Sequence, residues 1–206
     1  MSLDQDIKKI LSSDKPKSER DRELSKLGLR PADIRTIWFN FSHGKPNPGN
    51  EEDFRRRFPN APVPEPRDTL NLILRKEFAH EIVSGEKTIE IREVSPFYTS
   101  RVYDKRVVAF LNEHPEVERD YKFYTPLREV KKIHFYSYSN TWHLDVECTA
   151  VEEIAVTRET VRHIQEAYNS HEFDELLEEL ERDEVPDNQR PQFFIFAIGK
   201  ILDKKL

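Results

Sequence analysis

Lys87, Glu90 and Arg92 fall in one short run, Gly85-Glu86-Lys87-Thr88-Ile89-Glu90-Ile91-Arg92. Charge placed that close to two isoleucines is costly unless it is paired or used. In an extended strand alternate residues share a face. Thr88, Glu90 and Arg92 are therefore predicted on one side, and Ile89 and Ile91 on the other, toward a core. Glu90 and Arg92 come within pairing range, and Lys87 at the strand mouth can swing over the same face. Arginine and lysine donate to phosphate or carbonyl oxygens, while a carboxylate accepts from an exocyclic amine or a ring N–H. Such a set can hold a polar planar ligand, including a nucleobase taken out of its stack. A structural ion pair on an exposed strand uses the same three residues and is the plainer alternative.

The elements around this run must set its geometry. Residues 70–74 read as a strand. Phe78, Ile82 and Val83 mark one face of a short helix that stops at Gly85, and 87–92 is the next strand. Residues 106–111 and 130–138 read as further strands, and Leu144, Val146, Cys148 and Ala150 alternate as a half-buried strand should. Thr157 can cap a helix through Val161, Ile164 and Tyr168. An acidic helix follows, with Phe173, Leu176, Leu177 and Leu180 as its apolar stripe, and 192–202 is an apolar closing strand. Many short strands with few helices predict an α+β fold built on a small β-barrel flanked by helices, since closure removes exposed edges. Upstream, residues 1–42 are expected to form a helical N-terminal extension. Residues 43–68, with six of the thirteen prolines, are expected to be a linker or arm, and 69–206 the main domain.

Bulk properties narrow the partners. The 206 residues carry a net charge of −6 and 35% charged residues, and no apolar run is long enough to span a membrane. The first ten residues are polar and lack the apolar stretch of a secretion signal. The single cysteine, Cys148, forms no internal disulfide and fits a reducing cytoplasm. Between residues 166 and 187 ten acidic residues stand against Arg182 alone, whereas 121–134 carries Lys122, Arg128, Lys131 and Lys132 against Glu129. The acid is thus confined to one block, and the overall charge does not exclude a nucleic-acid partner.

The run Leu72-Ile73-Leu74-Arg75-Lys76-Glu77-Phe78, then Ile82, then Gly85-x-Lys87-x-x-Glu90-x-Arg92, resembles the ASCH domain family. The continuation Glu93-Val94-Ser95-Pro96-Phe97-Tyr98 and the ending Phe194-Ile195-Phe196-Ala197-Ile198-Gly199-Lys200-Ile201-Leu202 resemble its phage and bacterial branch, so the likeness spans residues 69–203. It implies a PUA-like fold and an RNA- or nucleotide-binding module with its cleft beside Lys87, Glu90 and Arg92. Some small members are amidohydrolases acting on acetylated cytidine, and others are ribonucleases. The amidohydrolases use a threonine, a lysine and a glutamate. Lys87 matches their lysine, but Glu90 stands where their threonine is expected. Asn169 falls near their glutamate, with Glu166 one turn earlier. The motif therefore supports binding more than catalysis, and an enzyme would draw on Lys87 and Glu90.

Lys76 and Tyr98 are expected to flank the cleft. Ser137 and Tyr138, in a polar loop, are candidates for phosphate contact and base stacking. The scattered histidines have no metal-ligand spacing, and no metal or cofactor is expected. Lys17-Ser18-Glu19-Arg20, Leu24 and Gly28 faintly resemble a helix-turn-helix. The N-terminal helices and the acidic helix are the expected surface for any protein partner.

Overall fold

A computed structural model describes residues 3–29, 31–43 and 51–206. The elements run α1 (Leu3–Leu11), α2 (Lys17–Lys26), α3 (Pro31–Ser42), α4 (Glu51–Arg57), β1 (Arg67–Ile73), α5 (Lys76–Ser84), β2 (Ile89–Glu93), α6 (Pro96–Val102), α7 (Lys105–Glu113), α8 (Pro115–Asp120), β3 (Val130–Tyr136), β4 (His143–Ala155), α9 (Arg158–Tyr168), α10 (Asp174–Arg182) and β5 (Gln192–Lys205). They form two compact units, Met1–Pro62 with Ala109–Thr125, and Val63–Val108 with Pro126–Leu206.

In the first unit, Ile7, Leu11, Leu24, Ile34 and Ile37 of α1–α3 bury one cluster. Gly28, at a φ of 80°, makes the turn between α2 and α3, a left-handed position that glycine adopts without penalty. Trp38 donates its indole N–H to Asp21, and the Arg20 guanidinium lies 4.6 Å from the Trp38 ring. The stretch expected as a linker contains α4. Its sequence Glu51-Glu52-Asp53-Phe54-Arg55-Arg56-Arg57 puts acid in the first turn and base in the last, which complements the helix dipole. Phe54 is buried with Val117 and Tyr121 of the α8 region.

The second unit is a mixed α+β layer structure around a five-stranded sheet in the order β1-β3-β4-β5-β2. β1 and β3 are parallel and the other pairs antiparallel. One face packs Leu70, Leu72, Phe135, Leu144, Phe194 and Phe196 against Ala79 and Ile82 of α5. The other face, around Ile89, Ile154 and Ile195, is covered by Val161 and Ile164 of α9 and by Phe173. Thr157 caps α9 as the sequence predicts, its side chain accepting from the Thr160 N–H.

The expected closed barrel is not formed, because β1 and β2 are left as edges. Register irregularities along β4, between Asp145 and Ala150, coil the sheet instead. Gly199 lies opposite this bend, where a Cβ would stand 2.8 Å from the Thr149 methyl. The coiling brings one end of each edge strand within side-chain reach, and Arg92 Nη2 on β2 donates to the Ile73 carbonyl on β1 at 2.8 Å.

Residues 106–111, expected as a strand, lie in helix α7. Val107, Phe110 and Leu111 have helical spacing. Asp104 caps the helix, its Oδ1 accepting from the Arg106 N–H at 2.9 Å. Among the described residues no helix is long and apolar enough to cross a membrane.

Candidate functional site

Helix α5 ends at Gly85, whose φ of 84° turns the chain sharply. The N–H groups of Glu86 and Lys87 both donate to the Glu81 carbonyl, at 2.9 and 3.1 Å. This knot holds Lys87 at the mouth of β2. From there the strand alternates as the sequence predicts. Ile89 enters the core under α9, with Ile91 partly buried beside it. Glu90 and Arg92 pair in register with Phe196 and Phe194, on the face toward α5.

Glu90 is more deeply placed than an exposed strand would allow, at 2% exposure. Its Oε1 is ion-paired with Arg92 Nη1. Its Oε2 is ion-paired with Lys87 Nζ at 3.9 Å, too far for a hydrogen bond, and is buried without a hydrogen-bond partner. Arg92 Nε is likewise buried and unpartnered, while its Nη groups donate to the carbonyls of Ile91 and Ile73. Burial pushes the Glu90 carboxyl up, against Arg92 and Lys87, which pull it down. Lys87 Nζ donates to Glu172 Oε1 at 2.7 Å and lies 5.6 Å from the Phe78 ring.

These groups line a cleft of about 630 Å³, with Phe78 and Glu81 of α5 on one wall and residues 169–172 on the other. The opposite wall is set by Asn169, which closes α9 in the left-handed conformation at a φ of 51° and redirects the chain across the mouth of β2. Counting Glu81, Glu86, Glu90 and Glu172 against Lys87 and Arg92, the cleft has an acidic balance. It therefore favours an uncharged ligand rich in N–H donors over a polyphosphate.

The remaining expected residues do not line the cleft. Lys76 is exposed at the first position of α5. Tyr98 is half-buried against the core, its ring 5.9 Å from the Arg92 guanidinium. Ser137 and Tyr138 lie in the β3–β4 turn, next to the end of β3 that pairs with Ile73. Ser137 Oγ accepts from the Thr141 N–H at 2.8 Å, and Tyr138 is 90% exposed. The sequence reading missed Phe78, Ser170, His171 and Glu172 as wall residues, and spacing offers no signal for a contact that spans eighty-five residues from Lys87 to Glu172.

No protein-family model matches the chain, and no curated protein matches it. The chain is similar to ZmASCH. Two crystal structures of ZmASCH mutants from Zymomonas mobilis show the likeness. For one, the TM-score is 0.34 and the identity 19%, covering 67% of this chain and 71% of that one. For the other, the TM-score is 0.32 and the identity 15%, covering 68% and 76%.

Thr88, the one threonine in the strand run, donates its hydroxyl to the Tyr168 carbonyl at 2.6 Å, and among the described residues no threonine lines the walls. Asn169 does reach the cleft wall, while Glu166 does not. Burial pushes the Cys148 thiol up to about 12, away from the thiolate form. Among the described residues no cluster of histidine, cysteine and carboxylate side chains could hold a metal ion.

Proposed function

We propose that the second unit is an ASCH-type module that binds RNA or a nucleotide by taking a base into the Lys87–Glu90–Arg92 cleft. The observation that carries this reading is the buried Oε2 of Glu90, without a hydrogen-bond partner, beside Lys87 and the Nε of Arg92, likewise without one. A buried acceptor left without a donor costs about 1–3 kcal/mol, and an amine or ring N–H of a base would supply that donor. Lys87 and Arg92 then face the carbonyl and ring-nitrogen acceptors of the same base. The acidic balance of the walls supports a base rather than a phosphate as the group that enters.

Hydrolysis is the weaker reading, because the cleft offers no activated hydroxyl and Lys87 is tied to Glu172. The test is titration of nucleotides and short RNAs, followed by fluorescence anisotropy or calorimetry, against Lys87→Ala combined with Arg92→Ala. Loss of affinity by about 100-fold or more, near 2.7 kcal/mol, is expected with folding confirmed by circular dichroism. Unchanged binding by the folded double variant would overturn the proposal.

A further inference from the structure

The cleft accounts for a base but leaves its phosphates without a place. Helix α6, next to the cleft, offers one. Its first turn presents Phe97 at 58% exposure, a large apolar ring in a polar surface. The Arg101 guanidinium lies 3.5 Å from the centre of that ring and is held there by a 2.7 Å hydrogen bond to the Phe97 carbonyl. A stacked arginine–aromatic pair of this kind is a flat, cationic surface that suits a nucleobase and its phosphate together.

The platform is joined by direct contacts to both neighbours. Toward the cleft, the Phe97 ring lies 5.0 Å from Tyr98, whose ring is in turn 5.9 Å from Arg92. Away from it, the Arg101 carbonyl accepts from Arg67 Nη1 at 2.8 Å. Arg67 lines a groove of about 600 Å³ with Lys105, Arg106 and Arg128. The carboxylates there are already engaged. Glu65 pairs with Arg106 and Asp68 with Lys131, while Asp104 is 1% exposed beneath Arg106. Arg67, Lys105, Arg106 and Arg128 stand against Glu65, Asp68 and Asp104, with Arg106 and Arg128 both paired to Asp104, so the groove has a slight cationic excess where the cleft has an acidic one. β1 runs from Arg67 at the groove to Ile73, whose carbonyl accepts from Arg92 of the cleft, about 20 Å for its length.

We infer that this path, from Tyr98 over the Phe97–Arg101 platform to the Arg67 groove, is a backbone subsite for a single-stranded nucleic acid. The inference rests on the reading of the cleft as a base site, and it makes the ligand a strand rather than a free nucleotide. One base enters the cleft, a neighbouring base stacks on Phe97, and the phosphates between and beyond them meet Arg101, Lys105 and the groove arginines. A path of this length suits a strand of about 4 nucleotides, the lower end of single-strand sites.

The test is a length series: a mononucleotide, then RNA and DNA strands of one sequence at about 4 and about 8 nucleotides, with a duplex as control. Each is titrated against the full chain and against Phe97→Ala combined with Lys105→Ala. Both side chains are exposed, so folding is retained, and Arg101→Gln provides a second variant. Affinity is expected to rise at least about tenfold from mononucleotide to strand, with a steeper salt dependence for the strand. The variants should remove that gain and weaken the mononucleotide, with its single phosphate, much less than the strand. Equal affinity for mononucleotide and strand, both dependent on Lys87, would overturn the subsite and leave the cleft reading standing. Strand binding that needs Phe97 but not Lys87 would overturn the cleft reading instead. Equal binding of duplex would overturn single-strand selection, and no binding of any probe would overturn both. A preference between the RNA and DNA arms, with the length effect intact, supports the subsite and identifies the strand.

Discussion

Two carboxylates of the second unit are almost equally buried and live in opposite ways. Asp104 accepts from the N–H groups of Glu65 and Arg106 and from the Arg106 side chain, with Arg128 at 3.5 Å. The Arg106 hydrogen bonds hold its carboxyl well below the usual carboxylate range. Glu90 also has two cations beside it, yet keeps one oxygen without a hydrogen-bond partner, and burial pushes its carboxyl up. A carboxylate that is fully partnered has the character of a staple. It caps α7 and fixes the guanidinium groups of the groove. A carboxylate left short of a donor in a concave wall has the character of a receptor. The same residue class, equally hidden from solvent, is thus divided by how many donors the fold supplies and by how heavily burial weighs on the group.

The sharpest way to break this contrast is to remove the staple. Asp104→Ala deletes a cap and leaves Arg106 and Arg128 without their shared partner, so a loss of about 3 kcal/mol is expected in urea unfolding. Mononucleotide affinity should move less than about twofold, since the cleft is untouched. The wild-type contribution of Asp104 is present above the ordinary aspartate value of about 3.9. It is lost only as the pH falls toward its depressed native value.

Arg92→Ala tests the receptor from the other side. It strands a buried carboxyl and should cost about 2–3 kcal/mol at neutral pH. Like the loss in Asp104→Ala, this deficit shrinks in acid, but at a higher pH, because the Glu90 carboxyl is pushed up and that of Asp104 is held down. The Glu90 value is raised further in this variant, so the deficit is fully present above that raised value and shrinks as acid protonates the group. Parallel urea titrations across the pH range should show the Arg92→Ala deficit shrinking at higher pH than the Asp104→Ala deficit.

Glu90→Gln is a smaller change. The ligand's N–H then meets a neutral acceptor, and affinity for a mononucleotide should fall about tenfold, the gap between charged and neutral hydrogen bonds. In the wild type, affinity should weaken as pH falls through a range above that of an ordinary glutamate, measured by anisotropy at constant salt. The smallest effect is expected from Glu172→Gln, which frees Lys87 from an exposed partner. It should tighten binding about threefold, in keeping with the modest strength of exposed ion pairs. Weaker binding would make Glu172 part of the receptor rather than a competitor.

How far the fold could be read in advance depended on whether the signal was local. The strand alternation through Ile89, Glu90, Ile91 and Arg92, the stop at Gly85 and the cap at Thr157 are short-range consequences of backbone chemistry. α7 was harder, because Val107-Val108-Ala109-Phe110-Leu111 is a continuous apolar run that suits a strand or a helix, and only the cap at Asp104 separates them. α4 carries a single apolar anchor, Phe54, so periodicity has nothing to count. The closed barrel was expected from strand number, whereas closure depends on how β1 and β2 meet, which no local pattern encodes. Lys87 at the mouth of β2, and Glu90 and Arg92 within it, were legible from their spacing. The far wall was not, because Ser170 and Glu172 arrive through the left-handed turn at Asn169, and the depth of Glu90 depends on α5 lying over that face.

The hydrogen bond from Arg92 to the Ile73 carbonyl has a consequence for self-association. An unclosed sheet ordinarily offers its outer strands to another chain, and a run such as Leu70-Asn71-Leu72-Ile73 is the kind of template on which fibrils start. Here a guanidinium already occupies the last carbonyl of that strand, and a strand arriving from another molecule would have to displace a charged group to pair there. The arginine that faces the cleft thus also guards an edge, and its loss would show as slow aggregation of a protein that still folds.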